Sequence, residues 1–278
     1  MTGETPSRPG RLLVVATPIG NLEDITLRAL RALREADLIA AEDTRHTRKL
    51  LAHFDIHTPL TSFYQHRQFR QAPGLVSRML GGAAVALVTD AGTPGISDPG
   101  AVLVRMALEA GIDVTPVPGP AAAIALLSVS GLDTHAFVFE GFLPVKSGRR
   151  RRALEALAAE ARTLVFYESP HRLVRTLEMM LEVFGDRPAA VGRELTKVFE
   201  EITRGTLAAA LERYRGRPVK GEIAIAVAGS SSGARRRVEA PATDDEDGEA
   251  EDPGGDDDPD PNDDGGDDDE DPDDDARP

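Results

Sequence analysis

Residues 88–100 read VTDAGTPGISDPG. Two aspartates, Asp90 and Asp98, are interleaved with Gly92 and Gly95 and with Thr93, Pro94 and Pro99. Glycine permits close backbone approach and proline stiffens the chain. A phosphate-binding loop would carry a lysine or the G-x-G-x-x-G spacing, and this stretch has neither. It offers carbonyl and carboxylate oxygens instead of a cationic socket. Oxygens of that kind suit a ligand with positive charge or many hydroxyls better than a triphosphate. The same residues also suit a tight strand-to-helix turn with Asp98 near the helix N-terminus, and both readings stay open.

Other stretches repeat the theme. ATPIGNLEDIT (16–26) carries Gly20 and Asn21, with Asp24 near a helix start, where capping explains it. VPGPAAA (117–123) sets backbone amides at a helix start and leaves small side chains, which make room for a flat ring or for a close helix–sheet contact. Cations cluster in LPVKSGRRRR, where Lys146 precedes Arg149, Arg150, Arg151 and Arg152. Arg45, His46 and Arg48 crowd a second stretch, HRQFR (66–70) a third, and His171 with Arg172 follow FYESP. A run of cations suits a polyanion, although for any single arginine a solvated face explains as much. His46, His66 and His171 lack metal-ligand spacing, the chain has no cysteine, and no metal is expected.

These residues need elements to hold them. Apolar runs predict strands at 12–17, 37–43, 59–64, 83–89 and 113–119, with helices over 25–36, 47–54, 67–81, 99–111 and 120–131 between and after them. Strands that alternate with helices argue for a parallel sheet covered on both faces. The loops at 17–24, 42–47, 89–99 and 117–121 all follow strands, so all project from one edge, where such sheets bind ligands. A second set begins near Thr134. Strands are expected at 136–142, 163–169, 188–195, 198–205 and 222–229, and helices at 147–161, 170–185 and 206–216. The pair 188–195 and 198–205 reads as an antiparallel hairpin with a short turn. The expected organisation is a leader over 1–10, an α/β domain over 11–120, a second over 121–229 and a tail over 230–278.

The formal charge of −15 is unevenly spread. From Glu239 onward, 22 acidic residues stand against one arginine, which leaves 31 Lys+Arg against 25 Asp+Glu before it. A mildly basic body points to a polyanionic partner. The tail is rich in Asp, Gly and Pro and nearly devoid of hydrophobic residues, so it is expected to be disordered and solubilising. No run approaches the roughly 20 apolar residues of a membrane span, and the N-terminus lacks a secretory core, so a cytoplasmic location is expected.

Eight blocks occur in order: LLVVATPIGNLEDITLRAL, AEDTRHTRKLL, VTDAGTPGISDPG, PVPGPAAAIALLSVSG, FEGFLPVKSGRR, FYESPHR, GRELTKVFEE and GEIAIAV. From about Leu12 to Gly229 the chain resembles the bacterial small-subunit ribosomal RNA (cytidine-2′-O-)-methyltransferases of the tetrapyrrole methylase superfamily. The resemblance implies a two-domain class III methyltransferase fold, with a parallel N-terminal sheet and a mixed C-terminal sheet. It implies S-adenosylmethionine in the interdomain cleft, a homodimer, and as substrate the 16S ribosomal RNA of the small subunit, methylated on a cytidine of the decoding centre. It also places the main cofactor loop after the fourth strand, where VTDAGTPGISDPG stands.

Roles follow from that resemblance. Asp90 and the carbonyls of Ala91, Gly92, Thr93, Pro94 and Gly95 would surround a sulfonium. Ile96, Pro120, Ala121 and Ala122 would flank the adenine, with Gly20 and Asn21 on the floor. Phe166, Tyr167, Gly221 and Glu222 would close the site. Glu42, Asp43, Glu168, Glu194 and Lys197 are candidate bases, of which Lys197 would need a lowered pKa. Lys146, Arg149, Arg150, Arg151, Arg152, Arg45, Arg48, His171 and Arg172 are candidate RNA contacts. A methyltransferase for a small tetrapyrrole is the rival reading, and the basic GRRRR stretch speaks against it. A non-catalytic ribosome-binding protein is a third.

Overall fold

A computed structural model describes residues 10–64, 67–98 and 100–231. Most of the expected leader and the acidic tail, together with His66 and Pro99, lie outside the described residues. Five strands, β1 (Arg11–Val15), β2 (Leu38–Ala41), β3 (Leu60–Ser62), β4 (Ala84–Val88) and β5 (Asp113–Val117), form the first sheet in the order β3-β2-β4-β1-β5. Every pairing is parallel, so all the strands end at one edge.

Alternation along these strands feeds two cores. Leu13, Val15, Ile39, Ala41, Ala86 and Val88 face α1 (Leu27–Glu35) and α2 (Thr44–His53). Leu12, Leu38, Ala40, Val85 and Leu87 face α3 (Gln68–Leu80) and α4 (Gly100–Glu109). Both faces of the central strands β1, β2 and β4 are therefore dry, which is why those strands are apolar almost throughout. Thr26 caps α1 through the amide of Ala29, and Asp43 caps α2 through that of Arg45.

After β5 the chain changes sheet. α5 (Ala122–Ser130) has no charged residue, and Ala123, Leu126 and Leu127 pack with Val165, Ala190, Ala224 and Ala226 of the second sheet. That sheet runs β6 (Phe137–Phe142), β7 (Thr163–Glu168), β10 (Ile223–Val227), β8 (Pro188–Arg193), β9 (Glu201–Thr206). Only β6 and β7 are parallel, so the sheet is mixed as expected. α6 (Ser147–Ala156), α7 (Leu173–Phe184) and α8 (Leu207–Tyr214) cover its other face around Phe166, Ile225 and Tyr214.

Several element boundaries shift from the sequence expectation, and two of the shifts fall in the second sheet's region. α6 stops at Ala156, and tertiary donors satisfy carbonyls beyond it: Arg187 Nη2 donates to Ala158 O at 2.5 Å, and the Ser230 amide to Glu160 O at 2.6 Å. The β8–β9 connection is a loop over 194–200 and not a short turn. The amide of Glu194 bonds the carbonyl of Glu222 at 2.9 Å, and Glu194 and Thr196 both take left-handed φ, of 53° and 67°. Pairing with β9 thus starts only at Arg193 opposite Glu201. Among the described residues, no helix is long and apolar enough to cross a membrane.

Leu126 is fully buried where α5 seats on the second sheet. Leu126→Ala is expected to cost about 2–5 kcal/mol of stability, read as a lowered urea midpoint.

Candidate active site

The ends of β1, β2 and β4 converge on a cleft of about 630 Å³ between the first sheet's edge and the second sheet. The loop after β4 forms its near wall. It is tied to β1 by reciprocal backbone bonds, Thr17 N to Gly92 O at 2.9 Å and Gly92 N to Thr17 O at 3.1 Å. Asp98 also lines the cleft, with its carboxylate folded back onto the loop. Its carboxylate accepts from the amides of Gly95, at 2.8 and 2.9 Å, and Gly100, at 2.7 Å. The capping explanation of Asp98 therefore holds, while Asp90 is differently placed.

Asp90 faces the cleft and accepts only from the backbone, from the Asp43 amide at 3.0 Å, among the described residues. Burial raises its pKa, and the neighbouring Glu42 adds to the rise against the amide bond. Burial likewise raises Asp98, although its amide donors oppose the shift. Glu42 lines the cleft beside Asp90, with Thr89 Oγ1 donating to it at 2.7 Å. Among the described residues, the near wall is thus rich in oxygen and carries no cation.

The far wall is aromatic and aliphatic. Tyr167 accepts from the Ala123 amide at 3.2 Å, which ties the second sheet to the start of α5. Phe139 meets Tyr167 edge-on at 5.0 Å between centroids, and Phe142 at 5.6 Å. Ala121, Ala122 and Ile19 complete an apolar floor.

The structure gathers Asp90, Ala91, Gly92, Thr93, Ile96, Ala121, Ala122, Tyr167 and Glu222 on this cleft. Gly221 lies there too, whereas Phe166 points into the opposite core. Pro94 and Gly95 turn instead toward a groove beside β5 and α4. Pro120 contributes a carbonyl to Thr93 Oγ1 at 3.4 Å. Asn21 is occupied as the cap of a one-turn helix, Leu22–Asp24. Gly20 abuts the 194–200 loop so closely that a Cβ there would lie 2.3 Å from Lys197 Cγ. Phe137, Phe139 and Phe142 were not expected at the site. Their aromatic spacing in AFVFEGF was the available signal, but a regular strand would send Phe142 to the other face.

Two candidate bases are poor proton acceptors, Lys197 because it is held protonated and Asp43 because its carboxylate is held by a cation. Lys197 Nζ donates to Glu194 at 2.8 Å and Glu222 at 3.0 Å. Burial pulls its pKa down, but the two carboxylates outweigh burial and raise it, whereas a base needs it lowered. Asp43 bonds the Arg45 guanidinium at 2.7 Å and caps α2, which holds its carboxyl far below the usual range. Glu168 is buried and engaged by Arg172 Nε at 2.7 Å and Thr176 Oγ1 at 2.6 Å.

Among the expected RNA contacts, Arg150 needs correction. It is only 5% exposed, and its Nη1 donates to Thr176 at 2.9 Å. The helical turn of α6 carries that one arginine inward, and it braces Glu168 through Thr176. Arg172 is similarly held, on Glu168 and on the Leu143 carbonyl at 3.2 Å. Lys146, Arg149, Arg151 and Arg152 stay exposed at the start of α6, with Arg151 paired to Glu182. Arg45, Arg48 and His171 are exposed as well.

Residues 11–211 match the family of tetrapyrrole (corrin/porphyrin) methylases. The chain belongs to that family. The Ribosomal RNA small subunit methyltransferase I of Halalkalibacterium halodurans is 52% identical over 221 residues, covering 80% of this chain and 76% of its own. Its namesake from Pseudomonas aeruginosa is 56% identical over 194 residues, 69% of each chain. Among solved tetrapyrrole methylase folds, uroporphyrin-III C-methyltransferase from Thermus thermophilus, complexed with S-adenosylhomocysteine, superposes with a TM-score of 0.57 at 22% identity. That alignment covers 82% of this chain and all of the other.

Support for the 194–200 loop comes from Glu201. Burial raises its pKa, but Arg217, Arg213 and Arg193 overcome that and push it down to about 2. Arg193 in turn donates to the Phe199 carbonyl at 3.1 Å and the Lys220 carbonyl at 3.3 Å. A depressed folded-state pKa stabilises fully above the ordinary value of 4.5 and loses that contribution as pH falls toward about 2. Glu201→Gln lacks this contribution, so its urea midpoint is expected to start lower at pH 6 and to fall less steeply than wild type across that acid window.

Proposed function

We propose that this chain transfers a methyl group from S-adenosylmethionine to the ribose 2′-oxygen of a cytidine in small-subunit ribosomal RNA. The observation that carries the proposal is the pairing of an oxygen-lined, cation-free cleft wall with an exposed basic turn at the start of α6, in a chain more than half identical to ribosomal RNA methyltransferases. The cleft suits the cofactor by its donor set. Asp90 and Glu42 complement positive charge, the small residues opening α5 leave room for a planar ring, and Tyr167 bounds it. Its volume lies within the range of small-molecule sites.

When bound, S-adenosylmethionine supplies an electrophilic methyl group on a sulfur that leaves as a neutral thioether. The protein's part is alignment in a dry space, where orientation accounts for much of the acceleration. The ribose hydroxyl is weakly acidic, so a carboxylate that accepts its proton as the new O–C bond forms assists the step. Glu42 is the carboxylate for that role. It lines the cleft and carries no ion pair among the described residues, unlike Asp43. Lys197 serves as a fixed cation that holds Glu194 and Glu222 together at the rim. Lys146, Arg149 and Arg152, with Arg48 and His171, take the RNA backbone, since phosphate contact draws on exposed cations. Action as a homodimer in the cytoplasm, on the decoding centre, is part of the same proposal.

The test is transfer of labelled methyl from S-adenosylmethionine to small subunits lacking the modification, followed by nucleoside analysis. Label on a cytidine 2′-oxygen supports the proposal, and label on a base or nowhere overturns it. Asp90→Asn keeps an acceptor for the Asp43 amide but removes the charge. It is expected to weaken cofactor binding about ten-fold by calorimetry, with thermal unfolding unchanged. Glu42→Gln is expected to lower kcat about 100-fold, with cofactor affinity retained.

A further inference from the structure

β6 carries a bulge whose consequence reaches the cleft. Its register against β7 runs Phe139 opposite Val165, then Gly141 opposite Phe166 and Phe142 opposite Tyr167, so Glu140 is skipped. In a regular strand Phe142 would face away from Phe137 and Phe139. The extra residue moves it to the same face, and all three line the cleft. Gly141 makes this possible. Its φ is +64°, and a Cβ there would lie 2.6 Å from Ser97 Oγ, in the loop after β4.

Phe142 is 56% exposed, although it sits against Tyr167 inside the cleft's wall. From there the chain runs directly to Lys146 and Arg149, both exposed. An open aromatic ring joined by a short segment to clustered cations is how proteins hold unpaired nucleotides, with stacking for the base and cations for the phosphate. RNA is recognised chiefly at single-stranded nucleotides whose bases are splayed out of the stack, and an unstacked base needs a new surface.

Resting on the proposed RNA substrate, we propose that Phe142 is the platform on which the base of the target nucleotide stacks, swung into the cleft by the bulge at Gly141. The inner ring, Tyr167, is held by the Ala123 amide and belongs with the floor beneath it. Of the exposed rings on the cleft, Phe142 is the more open and the one nearest in the chain to the basic turn, so the ligand it takes is an unpaired nucleotide.

Methyl transfer to unmodified small subunits, measured for wild type, Phe142→Ala and Phe142→Tyr, tests this, with calorimetric cofactor affinity and thermal unfolding for each. Phe142→Ala is expected to raise KM for the subunit about ten-fold or more, the loss of one stacked base, with cofactor affinity and unfolding unchanged and with Phe142→Tyr near wild type. An unchanged KM in Phe142→Ala beside an active wild type overturns the platform alone. A parallel fall in cofactor affinity also overturns it, by assigning Phe142 to the cofactor's ring. A wild type that labels no RNA overturns the platform and the proposed function together.

Discussion

The carboxylate of Asp98 grips Gly95 and Gly100 by their amides, and the cleft takes its shape from that clamp. Both aspartates line the cleft, but with the Asp98 carboxylate spent on loop amides, Asp90 is the one left with a single backbone donor. With Gly92 bonded to Thr17, the loop cannot drift from the end of β1. Ser97, at a left-handed φ of 68°, then stands where only a glycine, Gly141, can receive it from the second sheet. One loop thus fixes the oxygen wall and the seat of the aromatic wall.

The two walls are kept chemically distinct by where charge is neutralised. At the rim, Lys197 answers Glu194 and Glu222, and Asp43 is answered by Arg45. Deeper, Glu168 is answered by Arg172. Glu42 and Asp90 are left with hydroxyl and amide partners only, among the described residues. Two half-buried carboxylates without an ion-pair partner among the described residues leave the cleft suited to a positively charged ligand. The basic turn of α6 lies outside this region, where solvent screens its charges from the carboxylates until a polyanion binds.

The sequence alone determined the alternation of apolar strands and helices, the parallel first sheet, the mixed second sheet and the gathering of glycine- and acid-rich loops at one edge. Those features follow from local periodicity and from the handedness of strand–helix–strand connections, which need no tertiary detail. Resemblance in eight ordered blocks added the cofactor class and the substrate class. Tertiary structure alone decided which of two similar aspartates on the cleft spends its carboxylate on the turn. It alone turned Arg150 inward while its neighbours stayed exposed, because a helix sends successive residues to different sides and only packing selects the buried one. It raised the Lys197 ammonium through carboxylates from positions 194 and 222, far apart in the chain. And it placed Phe142 on the cleft, because a single skipped residue in the pairing of β6 with β7 reverses the side a strand residue faces, and pairing register is a property of two strands together.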